Sequence, residues 1–583
     1  MPGAGGARGA VALALGAVIA HGAPAAAQDA PAAAASPASA GSAAGQAAAT
    51  SLDTRAVGGI AGPDSLGGVP PVSLVRPEPR LGGFLEPLFG GAPANLSGAT
   101  PARGYVISPS LTLQFLATDN SRLEDRRRDS EFVTSIIPAI SVTADSATLR
   151  GTFRYAPRIN LYANGTEDNR VDQNFLGIGT LALVPDSVFV DLRALGTLQP
   201  VGSGVNDVNL ATARREGFTQ NYYFTVSPYA IQRWGSTATS VIGYRFAYSR
   251  RDGDNVTPFL GGPTVSSDDE LTTHTGYAAI RTGEEFGRLV LEARAIATAY
   301  VGGGEVTDGA ERALGVLEAR YGITRTFAVL GEIGYEHLNF GGLPPYRVDG
   351  MVWAGGVRLD PSPNTTVIAR YRRRDGFDSP AVEARIGIGQ RTVLFGSYIE
   401  QVTTSLSQIS DLLTTITVDE FGNPIGLNGA PVPDFGSTGF LGQQNGLYRS
   451  RRGTASISHL LPRDTFTLQY VYDRRTPVSV APGNLAFEQQ SQSLSLLWRR
   501  AISPLTTGFG SVGYTWYESE TFCAQSDTIT ARIGVVHSFS ERLVGSLQYQ
   551  FTGRLRTEAG TAGALAPDDT TQNTVIASIT TRF

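Results

Sequence analysis

The sequence predicts an all-β fold: a transmembrane antiparallel up-and-down β-barrel of about 22 strands, preceded by a disordered N-terminal segment. Three observations predict it. From Gly104 onward, apolar and polar residues alternate with a period of two, in segment after segment of strand length. The connections between segments alternate between short turns and longer polar loops. The N-terminus reads as an export signal, yet no later run approaches the roughly 20 apolar residues that a membrane-spanning helix requires.

The N-terminal stretch MPGAGGARGAVALALGAVIAHGAPAAAQDA carries one Arg8, a small apolar core from Gly9 to Ala20, and Ala25-Ala26-Ala27 ahead of Gln28. A basic residue, an apolar core and a small-x-small site make a secretory signal peptide over residues 1–27. Residues 28–102 are mostly Ala, Pro, Gly and Ser without a period of either kind. Such a chain cannot bury enough apolar surface to offset its ordering entropy, so it is expected to be a flexible periplasmic lead. Its clearest apolar cluster, Gly82 to Phe89 (GGFLEPLF), is a candidate for docking.

The barrel is expected over residues 103–583. Within Ser236 to Arg250, Ile242, Tyr244, Phe246 and Tyr248 take one face, and Gly243, Arg245, Ala247 and Ser249 the other. Ala319, Tyr321 and Ile323 oppose Glu318, Arg320 and Gly322. Leu543, Leu547, Tyr549 and Phe551 oppose Ser546, Gln548 and Gln550. Successive side chains of a strand point to opposite faces, so each segment is oily on one side and wet on the other. Short turns fall at Asp145-Ser146, Pro185-Asp186, Gly235-Ser236, Phe286-Gly287, Thr324-Arg325, Pro361-Ser362, Gln390-Arg391, Pro462-Arg463, Ser503-Pro504 and Ser540-Glu541. Longer loops lie between them, at Thr118 to Ser130, Gln199 to Gly217, Asp252 to Asp269 and Thr404 to Gly446. A barrel that begins and ends on the short-turn side needs an even strand number. Soluble sandwiches alternate too, but their strands are nearer 5–6 residues and their loops do not sort by side. No fixed-period motif points to a propeller.

The chain stops on VIASITTRF. Val575, Ala577, Ile579 and Phe583 share one face of an extended chain, while Thr574, Ser578, Thr580 and Arg582 share the other; Ile576 and Thr581 break the alternation. A last strand closing on Phe583 resembles the terminal signature by which bacterial outer-membrane barrels are recognised for assembly. That resemblance implies the barrel-assembly machinery as a partner and the cell outer membrane as the location. Thr581 departs from the signature's usual apolar third-last residue.

Composition excludes several classes. With a net charge of −5 the chain has no basic footprint for nucleic acid. All 47 basic residues are Arg, and the lone Cys523 rules out an internal disulfide or a cysteine metal cluster. His21, His274, His337, His459 and His537 are scattered without metal-ligand spacing, and no nucleophile elbow or phosphate loop occurs. The chain is therefore expected to be no enzyme, with no metal and no cofactor. Asp268-Asp269-Glu270 and Asp568-Asp569 are loop carboxylates, either cation holders at the lipopolysaccharide surface or simply solvated.

Charges facing lipid at mid-membrane are strongly disfavoured, so charges on the polar face of each segment are assigned to the lumen. Asp191 and Arg193 fall there, as do Arg245, Glu292 and Arg294. Glu318 and Arg320, then Glu332 with Glu336, follow on the next segments. Arg358, Arg370 and Arg372 come next, and Glu383 and Arg385 complete the set. A wall of mixed sign can hold itself together through cross-strand ion pairs, or it can select a polar or charged solute. The longest loop, Thr404 to Gly446, carries LSQISDLLTT (Leu406 to Thr415), a short helix candidate. Folding inward as a constriction, capping the mouth and staying on the surface are all open to it.

ISPSLTLQFLATDN (Ile107 to Asn120) with SEFVTSIIPAISV (Ser130 to Val142), and VPDSVFVDLRALGTLQPV (Val184 to Val201), resemble a group of proteobacterial outer-membrane β-barrels associated with exosortase and exopolysaccharide systems, of the β-barrel porin type. The resemblance implies an outer-membrane pore or scaffold linked to exopolysaccharide export, and it carries over no catalytic or binding residues. The implied partners are outer-membrane lipid and lipopolysaccharide, together with polysaccharide or export components. A general or solute-selective porin is the competing reading. A plugged receptor of the TonB-dependent kind suits a barrel of this width, but residues 28–102 are too short and too low in complexity for a folded plug.

Overall fold

The computed structural model describes residues 104–583 except 122, 124–127, 147, 201–217, 253–268, 363, 409–415, 419–423, 427–445, 483–487, 520–523 and 559–568. The export signal, the low-complexity lead with its Gly82–Phe89 cluster, and Cys523, Asp268 and Asp568 lie outside the described residues.

The wall opens with β1 (Gly104–Thr118) and β2 (Glu131–Asp145). β3 comes in two pieces, Leu149–Tyr155 and Arg158–Tyr162, and so does β4, Arg170–Asp172 and Phe175–Val184. The break in β3 falls at Pro157, which has no N–H to give to a ladder, and Ala156 N donates across the gap to Asn174 O. Next come β5 (Val188–Pro200), β6 (Phe218–Trp234), β7 (Ala238–Asp252), β8 (Asp269–Thr282), β9 (Leu289–Gly302) and β10 (Glu311–Gly322). β11 (Phe327–Phe340), β12 (Tyr346–Ser362), β13 (Thr365–Arg374), β14 (Phe377–Ile388), β15 (Thr392–Thr403) and β16 (Leu447–Leu460) follow. The last are β17 (Asp464–Ser479), β18 (Gln489–Ser503), β19 (Thr506–Ser519), β20 (Ala524–Ser538), β21 (Leu543–Glu558) and β22 (Thr570–Arg582).

Each strand pairs antiparallel with its sequence neighbours, and β1 also pairs with β22, from Ser110↔Arg582 to Thr118↔Thr574. Among the described residues this makes a closed barrel of 22 strands. The uninterrupted strands run from 10 to 17 residues. Closure leaves no unpaired edge, the condition that lets a sheet sit in hydrocarbon.

The outer surface is a membrane surface. Ile242 (65%), Ile533 (59%) and Leu547 (54%) are among the aliphatic side chains exposed on it. Aromatic residues flank them. Tyr105, Trp234, Phe286, Tyr321, Phe539 and Phe583 are exposed near the short turns. Toward the other end, Phe115 stacks on Phe132, Trp353 lies against Tyr371, and Tyr514 against Trp516. Such a band in water would be an aggregation surface; in a bilayer it is the usual girdled apolar zone of an outer-membrane barrel. The protein is accordingly an outer-membrane β-barrel, with its short turns on the periplasmic side.

The short turns are built from their sequence. Gly235, at φ 60, supplies the left-handed residue between Trp234 and Ala238. The neighbouring turn docks on it, because the Ser236 and Thr237 hydroxyls donate to the Glu285 carboxylate and hold its pKa below the usual value. At the C-terminus, Val575 and Ile579 point outward at 46% and 41% exposure, whereas Ile576 is buried with Leu116, Val133 and Tyr162. That inward isoleucine explains the break in alternation.

Candidate lumenal site

The charged positions singled out from the sequence lie on the face opposite the exposed apolar belt, and the strand register brings many of them together. Arg294 is the hub. Its Nη2 donates to Glu332 at 2.6 Å and to Glu318 at 3.4 Å, and its Nε lies 3.5 Å from Glu292. Arg370 binds Glu318 from the far side at 3.0 Å, and Arg374 binds the second oxygen of Glu332 at 2.9 Å. β9, β10, β11 and β13 are thus cross-linked by one network in which Glu292, Arg294, Glu332 and Arg374 are buried and Glu318 and Arg370 are partly so. Buried ions are tolerated only when such partners are supplied. Arg358 pairs with Asp360 at 2.6 Å, and Thr366 completes that carboxylate. Asp191 and Arg193 form a separate pair on β5 at 3.0 Å. Arg245 donates to Ser227 and lies 5.9 Å from the Tyr277 ring centre. Arg385 lies over Phe395, Glu383 stands opposite Ser397 in the register, and Arg320 stands opposite Leu330.

The second feature is a split in the wall. β14 and β15 pair only from Val382↔Tyr398 to Ile388↔Thr392, although both strands continue toward the loop side. β15 continues in ladder with β16 as far as Thr403↔Tyr448. This upper hairpin leans into the barrel. Val402 is buried (1%) in one cluster with Leu338 and Phe340, inner-face residues of β11, several strands away along the wall. The backbone groups that lost their ladder are taken up by side chains. Arg372 donates to Glu400 O at 3.0 Å, Val402 N donates to Asp375 Oδ2 at 3.0 Å, and Arg312 donates to Val402 O at 3.4 Å. Arg312 also pairs with Asp375 at 2.6 Å. Glu336 in turn accepts the Asp375 and Gly376 N–H groups at 2.9 and 3.0 Å. The Asp375-Gly376 turn, with φ 54 and 80, is therefore the clasp on which the inward hairpin rests.

Beyond Thr403 the chain stays inside. Ser405–Gln408 form one helical turn, and residues 409–415, the rest of the helix candidate, lie outside the described residues. Leu406 is 4% exposed and belongs to a buried cluster with Ile137, Ala156, Leu176, Leu195, Tyr223 and Leu271, from β2 to β8. Ser405 meets the Tyr448 hydroxyl, and Arg475 donates to Gln408 Oε1 at 2.9 Å. The start of the long loop therefore reaches across the lumen from β15 to the opposite wall.

Sequence reasoning missed Arg312, Arg374, Asp375, Glu400, Arg449, Arg451 and Arg475. Glu400 accepts from Tyr398, Arg449 and Arg451, and Arg449 lies 3.9 Å from the Phe377 ring centre. The Asp375-Gly376 dipeptide is a hairpin signal that locates part of this set. Asp269 is held by Arg251 at 3.0 Å and is not a free loop carboxylate. Among the described residues, no group of His, Cys, Asp and Glu stands where it can hold a metal ion.

No family model matches this chain, and no curated protein matches it. Among solved structures it is similar to the FrpB iron transporter of Neisseria meningitidis, at 9% identity over 83% of each chain with a TM-score of 0.45. It is also similar to the ferric-catecholate import receptor Fiu of E. coli K12, at 10% identity over 81% of each chain and a TM-score of 0.44. The siderophore receptor PiuA of Acinetobacter baumannii matches at 9% identity over 85% of this chain and 84% of its own, with a TM-score of 0.43. Likeness at this level carries no argument about substrate.

Proposed function

We propose that this protein is an outer-membrane conduit for a polar solute, narrowed from within by the β15–β16 hairpin, and that it serves the export of exopolysaccharide. The observation that supports this is the inward course of Ile399–Gln408, which places Leu406 against the far wall and fastens Val402 to Asp375 and Arg312. A pore with a built-in constriction suits traffic that must pass on demand without leaving the outer membrane permanently open. The resemblance at Ile107 to Asn120, Ser130 to Val142 and Val184 to Val201 supplies the link to polysaccharide. Single-channel recording of the refolded barrel in a planar bilayer tests the reading. Small or absent openings in the intact chain, turning into large steady ones when Thr404 to Gly446 is replaced by a short linker, are expected. Large openings in the intact chain favour the second reading, a solute-selective porin, for which the ion-paired wall around Arg294 speaks. Silence in both refutes the conduit and leaves a scaffold.

A further inference from the structure

The inner face of β5 to β8 changes character along the barrel. Nearer the short turns it is apolar and aromatic. Phe189 stacks on Tyr229 with ring centres 5.3 Å apart, and both belong to one buried cluster with Ile231, Val241, Tyr277 and Ile296. Gly243 makes this packing possible. A Cβ there would fall 2.4 Å from the Tyr277 hydroxyl and 2.8 Å from Tyr229 Cβ, so the Tyr277 ring lies across β7 toward β6. One step toward the loops the face turns polar. The register sets Asp191 beside Ser227 and Arg193 beside Thr225 on β5 and β6, and Arg245 beside Thr275 on β7 and β8. Asp191 Oδ2 accepts from Nε and Nη2 of Arg193 at 3.1 and 3.0 Å. Arg245 donates to Ser227 and lies 5.9 Å from the Tyr277 ring centre.

Three polar atoms at this level stand apart. Among the described residues, Asp191 Oδ1, Thr225 Oγ1 and the Tyr277 hydroxyl have no hydrogen-bond partner, although these residues are only 4%, 3% and 4% exposed. A buried polar atom without a partner costs free energy unless a bound molecule supplies one. Two of the three are hydroxyls, which donate and accept alike and so match alcohols. The third is a carboxylate oxygen whose twin already faces Arg193, and it accepts from a hydroxyl without needing a second cation. The next inner pair toward the loops, Leu195 and Tyr223, belongs to the cluster that receives Leu406. The three atoms therefore lie between the aromatic face on the short-turn side and the inward start of the long loop on the other.

We infer that this stretch of the inner wall is a subsite for a neutral pyranose unit of a glycan. The C–H face of the sugar ring lies against the Tyr229 and Tyr277 rings, and its hydroxyls meet Asp191 Oδ1, Thr225 Oγ1 and the Tyr277 hydroxyl. This rests on the conduit reading and adds to it a ligand class and a place, beside the constriction that carries Leu406.

Titration calorimetry of the full chain in detergent tests the subsite whether or not the barrel conducts. The probe is cellohexaose, a glucan with equatorial hydroxyls around flat C–H faces. It is expected to bind with an affinity that hardly changes with salt, because it carries no charge. A polyethylene glycol of equal length, with no hydroxyls along its chain, is expected not to bind. Tyr277→Phe with Thr225→Val removes two hydroxyls and keeps both side-chain shapes. It should weaken cellohexaose binding about tenfold, the loss of two hydrogen bonds. The urea midpoint of the same variant should hold or rise, since neither hydroxyl has a partner among the described residues. Arg373→Gln, on the exposed face near the loops, should leave binding unchanged. Heat-modifiable migration checks that each variant is folded. No binding of cellohexaose, equal binding of the polyether or unchanged binding by the double variant overturns the inference. So does a lowered urea midpoint in that variant, which makes the two hydroxyls structural. A conducting barrel that fails this titration leaves the conduit standing and removes only the subsite.

Discussion

Replacing Glu332 with Gln isolates the hub of the lumenal network. The carboxylate joins Arg294 at 2.6 Å and Arg374 at 2.9 Å, and those arginine side chains are 7% and 6% exposed. Removing one member of a buried pair costs about 3–5 kcal/mol, because the remaining charge stays out of water without its partner. Arg294 keeps Glu318 and Glu292 at 3.4 and 3.5 Å, so the lower end applies, about 3 kcal/mol. That is more than a hundredfold in the folding equilibrium. The assay is a urea titration of the barrel refolded into lipid vesicles, followed by tryptophan fluorescence, with the midpoint shift read at constant slope. Adding Arg374→Met to Glu332→Gln should recover part of the loss, because one of the two guanidinium groups that faced the carboxylate is then gone. A loss below about 1 kcal/mol in the single variant, or no recovery in the double, refutes the view that these ions act as a fully desolvated network.

Three further outcomes are expected. Ile333→Arg places a charge on the lipid face at the middle of β11, where Ile333 is 53% exposed; the same titration should show a loss of about 2–4 kcal/mol in vesicles. Gly243→Val puts side-chain atoms into the Tyr277 ring and against Tyr229 Cβ, so overpacking should cost about 1–3 kcal/mol while Gly276→Ala, with open space around its Cβ, should be close to neutral. Phe583→Ala should cut the fraction of barrel assembled in cell envelopes, measured by heat-modifiable migration. Because Phe583 is 72% exposed and its backbone N–H still reaches Pro109 O, the urea midpoint of the purified barrel should hardly move.

The wall is legible in the order of the residues. Alternation is a local property of an extended backbone, so Ile242, Tyr244 and Phe246 could be separated from Gly243, Arg245 and Ala247 without any tertiary information. The short turns at Gly235-Ser236, Pro185-Asp186 and Ser540-Glu541 were legible for the same reason, as was the even strand count. Which inner polar groups meet depends on the closed barrel. Arg294 finds Glu332, Arg312 finds Asp375, and Arg475 finds Gln408 across 38 to 67 positions of chain, and such pairs depend on register and curvature, which leave no periodic trace. The split between β14 and β15 is of the same kind. Its strands alternate like any others up to Val382↔Tyr398; beyond that pair Asp375, Arg312 and Arg372 take up the β15 backbone groups inside the barrel.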